Sequence, residues 1–473
     1  MMKRLLTLLL IVTVAVGVLT SCARQKYSAN PLSVSNISRD LINKDPRDAG
    51  FSAYLANNGF ADNQLPLKSW GINELTLAAL YFNPKLNLAK VQWAASMAAV
   101  TTADQRAQGS LDASIARGNQ GGGEPKPWSY GLSLNLPLET ANKRQLRREQ
   151  AAQLAEATRI EIAQTAWQLR SQINVDLINI IESNSQAKLL KKELRVHNDM
   201  ANMLEKRVKL GLQSNTELSQ AKLLQLKTLK SLNTELNKMP ELTAILAADV
   251  GLTTEKFSLI PLELPDAFDV INQQKNILSK PDAIKQLQAT ALLNRLDVRA
   301  ALARYAAAES KIKLEIAKQT PDILFSPAFL FDFGNSIWSL GLSNLLFLLN
   351  DNKSLATEAT KLRDIEAAQF EVLQAKIIAD LARSEAQYNA SVVEITQSRQ
   401  LHTAETSQFQ RLQKQFNAGN IDRIELTQSM LGSLFSAQAV HEANFKSIRA
   451  GLMVEDVMQH PLYDVPKLPP TLN

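Results

Sequence analysis

The chain has 473 residues, with 52 lysines and arginines against 46 aspartates and glutamates. So small a basic excess does not suit a nucleic-acid binder, whose positive charge gathers in a patch or along one helix face. One cysteine and four histidines exclude a disulfide framework, and with no glycine-rich strand-to-helix turn they leave no signature of a metal centre, cofactor or enzyme active site.

The N-terminus opens with Lys3 and Arg4, runs through uncharged apolar residues 5–19 and reaches Leu19-Thr20-Ser21-Cys22. That apolar stretch is shorter than the roughly 20 residues a helix needs to cross a bilayer, so residues 1–21 are expected to be a cleaved signal peptide. Cys22 stands at the cleavage boundary in a segment that resembles the lipobox of bacterial lipoproteins. The resemblance implies lipid attachment at Cys22 and, because Ala23 rather than an aspartate follows, sorting to the outer membrane. Residues 22–70, polar and with several prolines between Tyr27 and Leu67, are expected to form an extended tether.

Beyond the tether the chain is written twice. Trp128-Ser129-Tyr130-Gly131-Leu132-Ser133 recurs 210 residues later as Trp338-Ser339-Leu340-Gly341-Leu342-Ser343. Residues 84–89 align with 296–301, and the glycine motif at 211–218 aligns with 419–426, 208 residues on. Two repeats are expected, 71–283 and 284–460, followed by a tail at 461–473, each reading helix, strand, strand, long helix, shorter helix. Residues 138–239 hold no proline and only Gly211, and residues 344–418 hold neither proline nor glycine. A continuous helix over the second run would span roughly 110 Å at 1.5 Å per residue. Helices of that length must lean on one another, as in coiled coils. Leu177, Ile180, Ile181, Leu189, Leu190 and Leu194 trace a narrow apolar seam, which predicts a single-layered wall.

The strand regions, about 110–138 and 322–345, alternate cleanly. Tyr130, Leu132, Leu134 and Leu136 share one face against Ser129, Gly131, Ser133 and Asn135, and Trp338, Leu340 and Leu342 oppose Ser339, Gly341 and Ser343. Large apolar residues opposite small polar ones suit a barrel with lipid outside and water inside. Phe325, Phe329, Phe331 and Phe333 on the third strand are expected to contribute to an aromatic girdle. Four strands cannot close a barrel, and lipid does not tolerate an open edge, so the chain is expected to oligomerise. Residues 118–127 are expected to form a flexible loop and Gly334-Asn335 a turn. Lys143, Arg144, Arg147 and Arg148 follow the second strand, either against lipid head groups or as an exposed basic helix start.

These features, together with Trp70, Asn73-Glu74-Leu75, Asn83-Pro84-Lys85-Leu86, Asn294-Arg295-Leu296-Asp297-Val298-Arg299-Ala300-Ala301 and Pro137-Leu138-Glu139, resemble the TolC-type outer-membrane efflux protein family over about residues 70–460. The resemblance implies a mainly α chain with a small β part: a long coiled-coil α-helical barrel and a 12-stranded transmembrane β-barrel, both closed by homotrimerisation. It implies a passive duct for small-molecule or ion cargo, set in outer-membrane lipid and partnered by a periplasmic adaptor protein and an inner-membrane pump. The family's periplasmic gate maps onto Glu425, with Gln428 where a second carboxylate would stand and Asp422, Glu217 and Ser214 nearby. The alternative, a periplasm-spanning coiled-coil lipoprotein without a pore, accounts for the helices and Cys22 but not for the duplicated strands.

Overall fold

The computed structural model describes residues 27–61, 67–118, 128–264, 270–271, 273–274, 278, 293–332, 334–344 and 353–462. The leader with Cys22, most of the loop at 118–127, Phe333 and most of the tail lie outside the described residues. Two compact units divide the chain, residues 1–43 and 44–473. The first contains α1 (Val34–Ile42), whose N-terminus is capped by Ser33 accepting from the Asn36 amide at 3.4 Å.

In the second unit, α2 (Ala49–Asn57) replaces the extended tether expected there. Its Phe51 and Leu55 are buried, and the Phe51 ring lies 5.5, 5.3 and 5.0 Å from those of Trp70, Tyr81 and Phe82. Phe51, Tyr54 and Leu55 recur at helical spacing, an apolar face that the polar average of the segment conceals.

The chain continues through α3 (Ile72–Phe82), α4 (Pro84–Ala103), β1 (Ser110–Arg117), β2 (Trp128–Leu138), α5 (Lys143–Lys209), α6 (Asn215–Val250) and the short α7 (Thr254–Phe257). The second half supplies α8 (Leu296–Ala317), β3 (Ile323–Asp332), β4 (Asn335–Asn344), α9 (Lys353–Asn417) and α10 (Arg423–Met458). The duplication is visible in the lengths, since α5 and α9 have 67 and 65 residues while α6 and α10 have 36 each. Each long helix extends roughly 100 Å. Although proline normally breaks a helix interior, α6 runs through Pro240, and its last turns bury Leu246, Ala247 and Val250. Gly251 ends it at φ +88°, and a Cβ there would fall 2.7 Å from the Phe82 and Asn83 backbone, so this close approach requires glycine.

Helix α5 packs against α4, α6, α8 and α10, and α9 against α8 and α10. The expected single-layered wall describes only part of this unit. Where Ile162 to Ile181 of α5 meet α3, the end of α6 and Phe445 and Ile448 of α10, a broad core forms. Towards the turns it thins to Met200, Ala201, Leu204 and Ala221. Of the described buried polar groups in the broad region, two sites are ionisable. The Arg170 guanidinium pairs with Glu455, both side chains at most 5% exposed. Nearby, Trp167 Nε1 donates to Asp456 at 3.0 Å.

The second buried group is Asp176, which accepts from Gln172 at 3.0 Å and lies beside Asp249. Burial pushes its carboxyl up to about 7, with the neighbouring Asp249 carboxylate adding to the rise. A carboxyl whose native pKa lies above its unfolded value stabilises the fold less as pH rises, so stability is lost between about pH 4 and pH 7. Asp176→Asn, which keeps a donor towards Asp249 without the charge, is expected to raise the melting temperature at pH 8 and flatten its decline from pH 5. Parallel melting curves for variant and parent across that range would dismiss the effect.

Candidate functional site

The four strands form one antiparallel sheet in the order β1-β2-β3-β4. Its central pairing, β2 with β3, joins the two repeats, with Leu132 opposite Phe329 and Leu138 opposite Ile323. Register sets the faces, because neighbouring side chains alternate across the sheet. Ala113, Leu132, Phe329 and Trp338 make one cross-strand row, and Leu136, Phe325 and Leu342 another. Tyr130, Leu132, Leu134, Leu136, Trp338, Leu340 and Leu342 therefore share the face expected of them, all exposed in the single chain and Trp338 by 80%. The rings of Phe329 and Trp338 are 4.8 Å apart, and those of Tyr130 and Phe331 6.2 Å. Monomeric soluble proteins rarely leave so continuous an apolar surface in water.

The other face is mostly small and polar, with Leu324, Leu330 and Ile337 its larger apolar residues. Asp112 accepts from Asn135 at 2.5 Å and from Ser110 at 3.1 Å, while Ser326 donates to Asn135 at 2.6 Å, tying β1, β2 and β3 together. Among the described residues, the outer strands β1 and β4 each have a partner on one side only.

Below the sheet the basic cluster departs from both expectations for it. Lys143 is buried, its Nζ 2.6 Å from the Thr320 carbonyl and 2.6 Å from Asp322. Arg144 pairs with Asp104 and Arg147 with Glu139, while Arg148 is exposed. Lys143 and Arg147 thus fasten the start of α5 to residues flanking the sheet, and Arg144 fastens it to the end of α4.

At the far end, the two glycine motifs prove to be helix punctuation. Gly211 and Gly419 adopt φ +69° and +77°. Leu212 and Asn420 donate back to Arg207 and Gln415, both at 2.9 Å, the Schellman arrangement that a glycine permits. Ser214 and Asp422 then cap the next helices, accepting from the Glu217 and Ile424 amides. Glu217 and Glu425 fall in the first turns of α6 and α10, where a carboxylate suits the helix dipole whatever else it does. Gln428 lies one turn further on, and both it and Glu425 are exposed. The two turns are neighbours, since Leu218 and Ile424 pack on the same small cluster.

Arg207 lies just outside the motif that marks the first turn. Its guanidinium grips Asp422 with two hydrogen bonds, 2.5 and 2.6 Å, linking α5 to α10, and it holds the Asp422 carboxyl below its usual range. A signal was present: 208 residues on from Arg207 stands Gln415, and Asp422 answers to Ser214. The copies differ in charge at the two positions that pair.

Among the described residues no helix is long and apolar enough to cross a membrane. Long helical hairpins carry an open sheet, apolar on one face. Residues 77–246 match the model of the outer membrane efflux protein family, so the resemblance carried by the motifs holds. VceC of Vibrio cholerae is similar in structure, with a TM-score of 0.64 at 16% identity over 83% of this chain and 97% of that one. CmeC of Campylobacter jejuni gives 0.63 at 11% identity, covering 92% and 93%. The open-state MtrE channel of Neisseria gonorrhoeae gives 0.63 at 15%, covering 84% and 91%. No curated protein sequence matches the chain.

Proposed function

We propose that the protein is the outer-membrane channel of a tripartite efflux system, a passive duct with no enzymatic step. The observation that carries this reading is the sheet, with one face fit for lipid and two strands lacking an outer neighbour. Three copies contributing four strands each would close a 12-stranded barrel and satisfy those edges. The helical hairpins of the three copies would line a tunnel towards a periplasmic adaptor and an inner-membrane pump. Residues 1–21 serve as leader and Cys22 as lipid anchor in this scheme. A pore-free bridging lipoprotein would leave Trp338, Leu340 and Leu342 in water.

The turn region is the proposed gate. The Arg207–Asp422 pair holds it shut, while three copies of Glu425 around the axis form a ring that attracts cations. Gln428 supplies no second acidic ring, and Ser214 and Glu217 order the neighbouring turn. Asparagine caps a helix as well as aspartate, so Asp422→Asn removes the ion pair and spares the cap. In planar bilayers the purified trimer is expected to show discrete steps, and Asp422→Asn a larger resting conductance. Conductance unchanged in Asp422→Asn would remove the pair from the gate. A silent monomer in detergent would overturn the channel reading altogether.

A further inference from the structure

We infer that Asp112 and Asp332 make the upper, sheet-lined part of the duct cation-preferring, independently of the turn region; this rests on the channel reading above. Strand register is the ground for it. Asp112 lies opposite Ser133, and Asp332 lies opposite both Ser129 and Asn335. Alternation therefore sets both carboxylates on the small polar face with Ser114, Ser326, Ser339 and Ser343, the face that would surround the lumen. Among the described strand residues the one other charged side chain is Arg117, which falls on the opposite face, its guanidinium 5.4 Å from the Trp128 ring centroid. The lumen face of the described strands thus carries two negative charges per chain and no positive one.

The two sites differ in build. Asp112 is fixed by a chain of donors in which the Ser326 hydroxyl donates to Asn135 Oδ1 and the Asn135 amide to Asp112. That chain keeps the carboxylate at the lumen surface in each copy. Asp332 stands at the end of β3 beside the turn to β4. In a trimer the pair generates two rings of three carboxylates at different heights, spaced along the permeation path. A fixed charge on a water-filled wall acts over about 8 Å at physiological ionic strength and only about 3 Å at 1 M. The preference must therefore be strong in dilute salt and fade in concentrated salt, unlike selectivity imposed by a narrow constriction.

The test is the reversal potential of the purified full-length protein in a planar bilayer under a potassium chloride gradient, centred first near 20 mM and then near 1 M. For the double variant Asp112→Asn/Asp332→Asn the potassium-over-chloride permeability ratio is expected to fall at least about twofold in dilute salt and to match the parent at high salt. Ser133→Lys, which sets a cation beside Asp112 without disturbing its donors, is expected to move the reversal potential further towards chloride. Channel steps with an unshifted reversal potential in either variant would overturn the inference and leave the channel intact. Absence of steps in the parent would overturn the channel reading itself.

Discussion

Arg170→Met is expected to be the most destabilising substitution among the helices, costing about 3–5 kcal/mol, the usual penalty when one partner of a buried ion pair is removed. Arg170 joins α5 of the first repeat to α10 of the second, and its loss would strand Glu455 at 2% exposure. The Glu455 carboxyl is already raised by burial, which outweighs the lowering influence of Arg170. Without the cation it would rise further. Because a raised carboxyl pKa costs stability as pH increases, Arg170→Met should melt much closer to the parent at pH 5 than at pH 8. The double variant Arg170→Met/Glu455→Gln is expected to recover most of the loss, since the penalty comes from the unpaired charge rather than from the missing attraction. Thermal melts of the three proteins decide the matter. Equal losses for the single and double variants would show that the packing of the arginine stem, not the charge, holds the two repeats together.

Leu132→Arg and Leu340→Arg are expected to abolish outer-membrane assembly. Both residues lie mid-strand on the apolar face, and an arginine facing lipid at mid-membrane costs about 2–4 kcal/mol per site, a penalty that three copies multiply. Ser133→Lys, one residue along but on the polar face, should insert normally. Fractionation of membranes followed by unheated electrophoresis for the trimer separates these outcomes. Normal assembly of both arginine variants would mean that the exposed face does not meet lipid.

What could be read from sequence was what local rules encode. The strand pairs announced themselves because a period of two with serine and glycine against leucine and tryptophan is written out twice, at Trp128 and Trp338. Gly211 and Gly419 marked the turns because few other residues accept positive φ, and the long helices showed as runs without proline or glycine. Whatever depended on distant parts of the chain was hidden. Nothing near Lys143 in sequence tells that Asp322 will enclose it, nor does any local pattern lead from Arg170 to Glu455. The layered core at Phe51, Trp70 and Ile173 was obscured for another reason: a seam that is narrow over much of α5 dominates its average, while the few positions meeting α3 and α10 are buried on more than one side. The turns were legible through their glycines, yet only geometry revealed that Ser214 and Asp422 act as caps and that Arg207 ties α5 to Asp422 at the start of α10.

The central β2–β3 pairing also fixes an order of events. Leu138 and Ile323 are neighbours in the sheet although 185 residues separate them along the chain. By contrast, β1–β2, β3–β4 and the helical hairpins α5–α6 and α9–α10 close over short loops. Contacts between remote segments form slowly because loop closure must come first, so the helical hairpins are expected to be in place before the four strands meet. Until then the greasy residues stay divided between two separate ribbons, each a poor ligand for membrane or for another chain. On the channel reading, the chain would cross a watery compartment with its lipid-facing surface still unassembled, and complete that surface only on arrival.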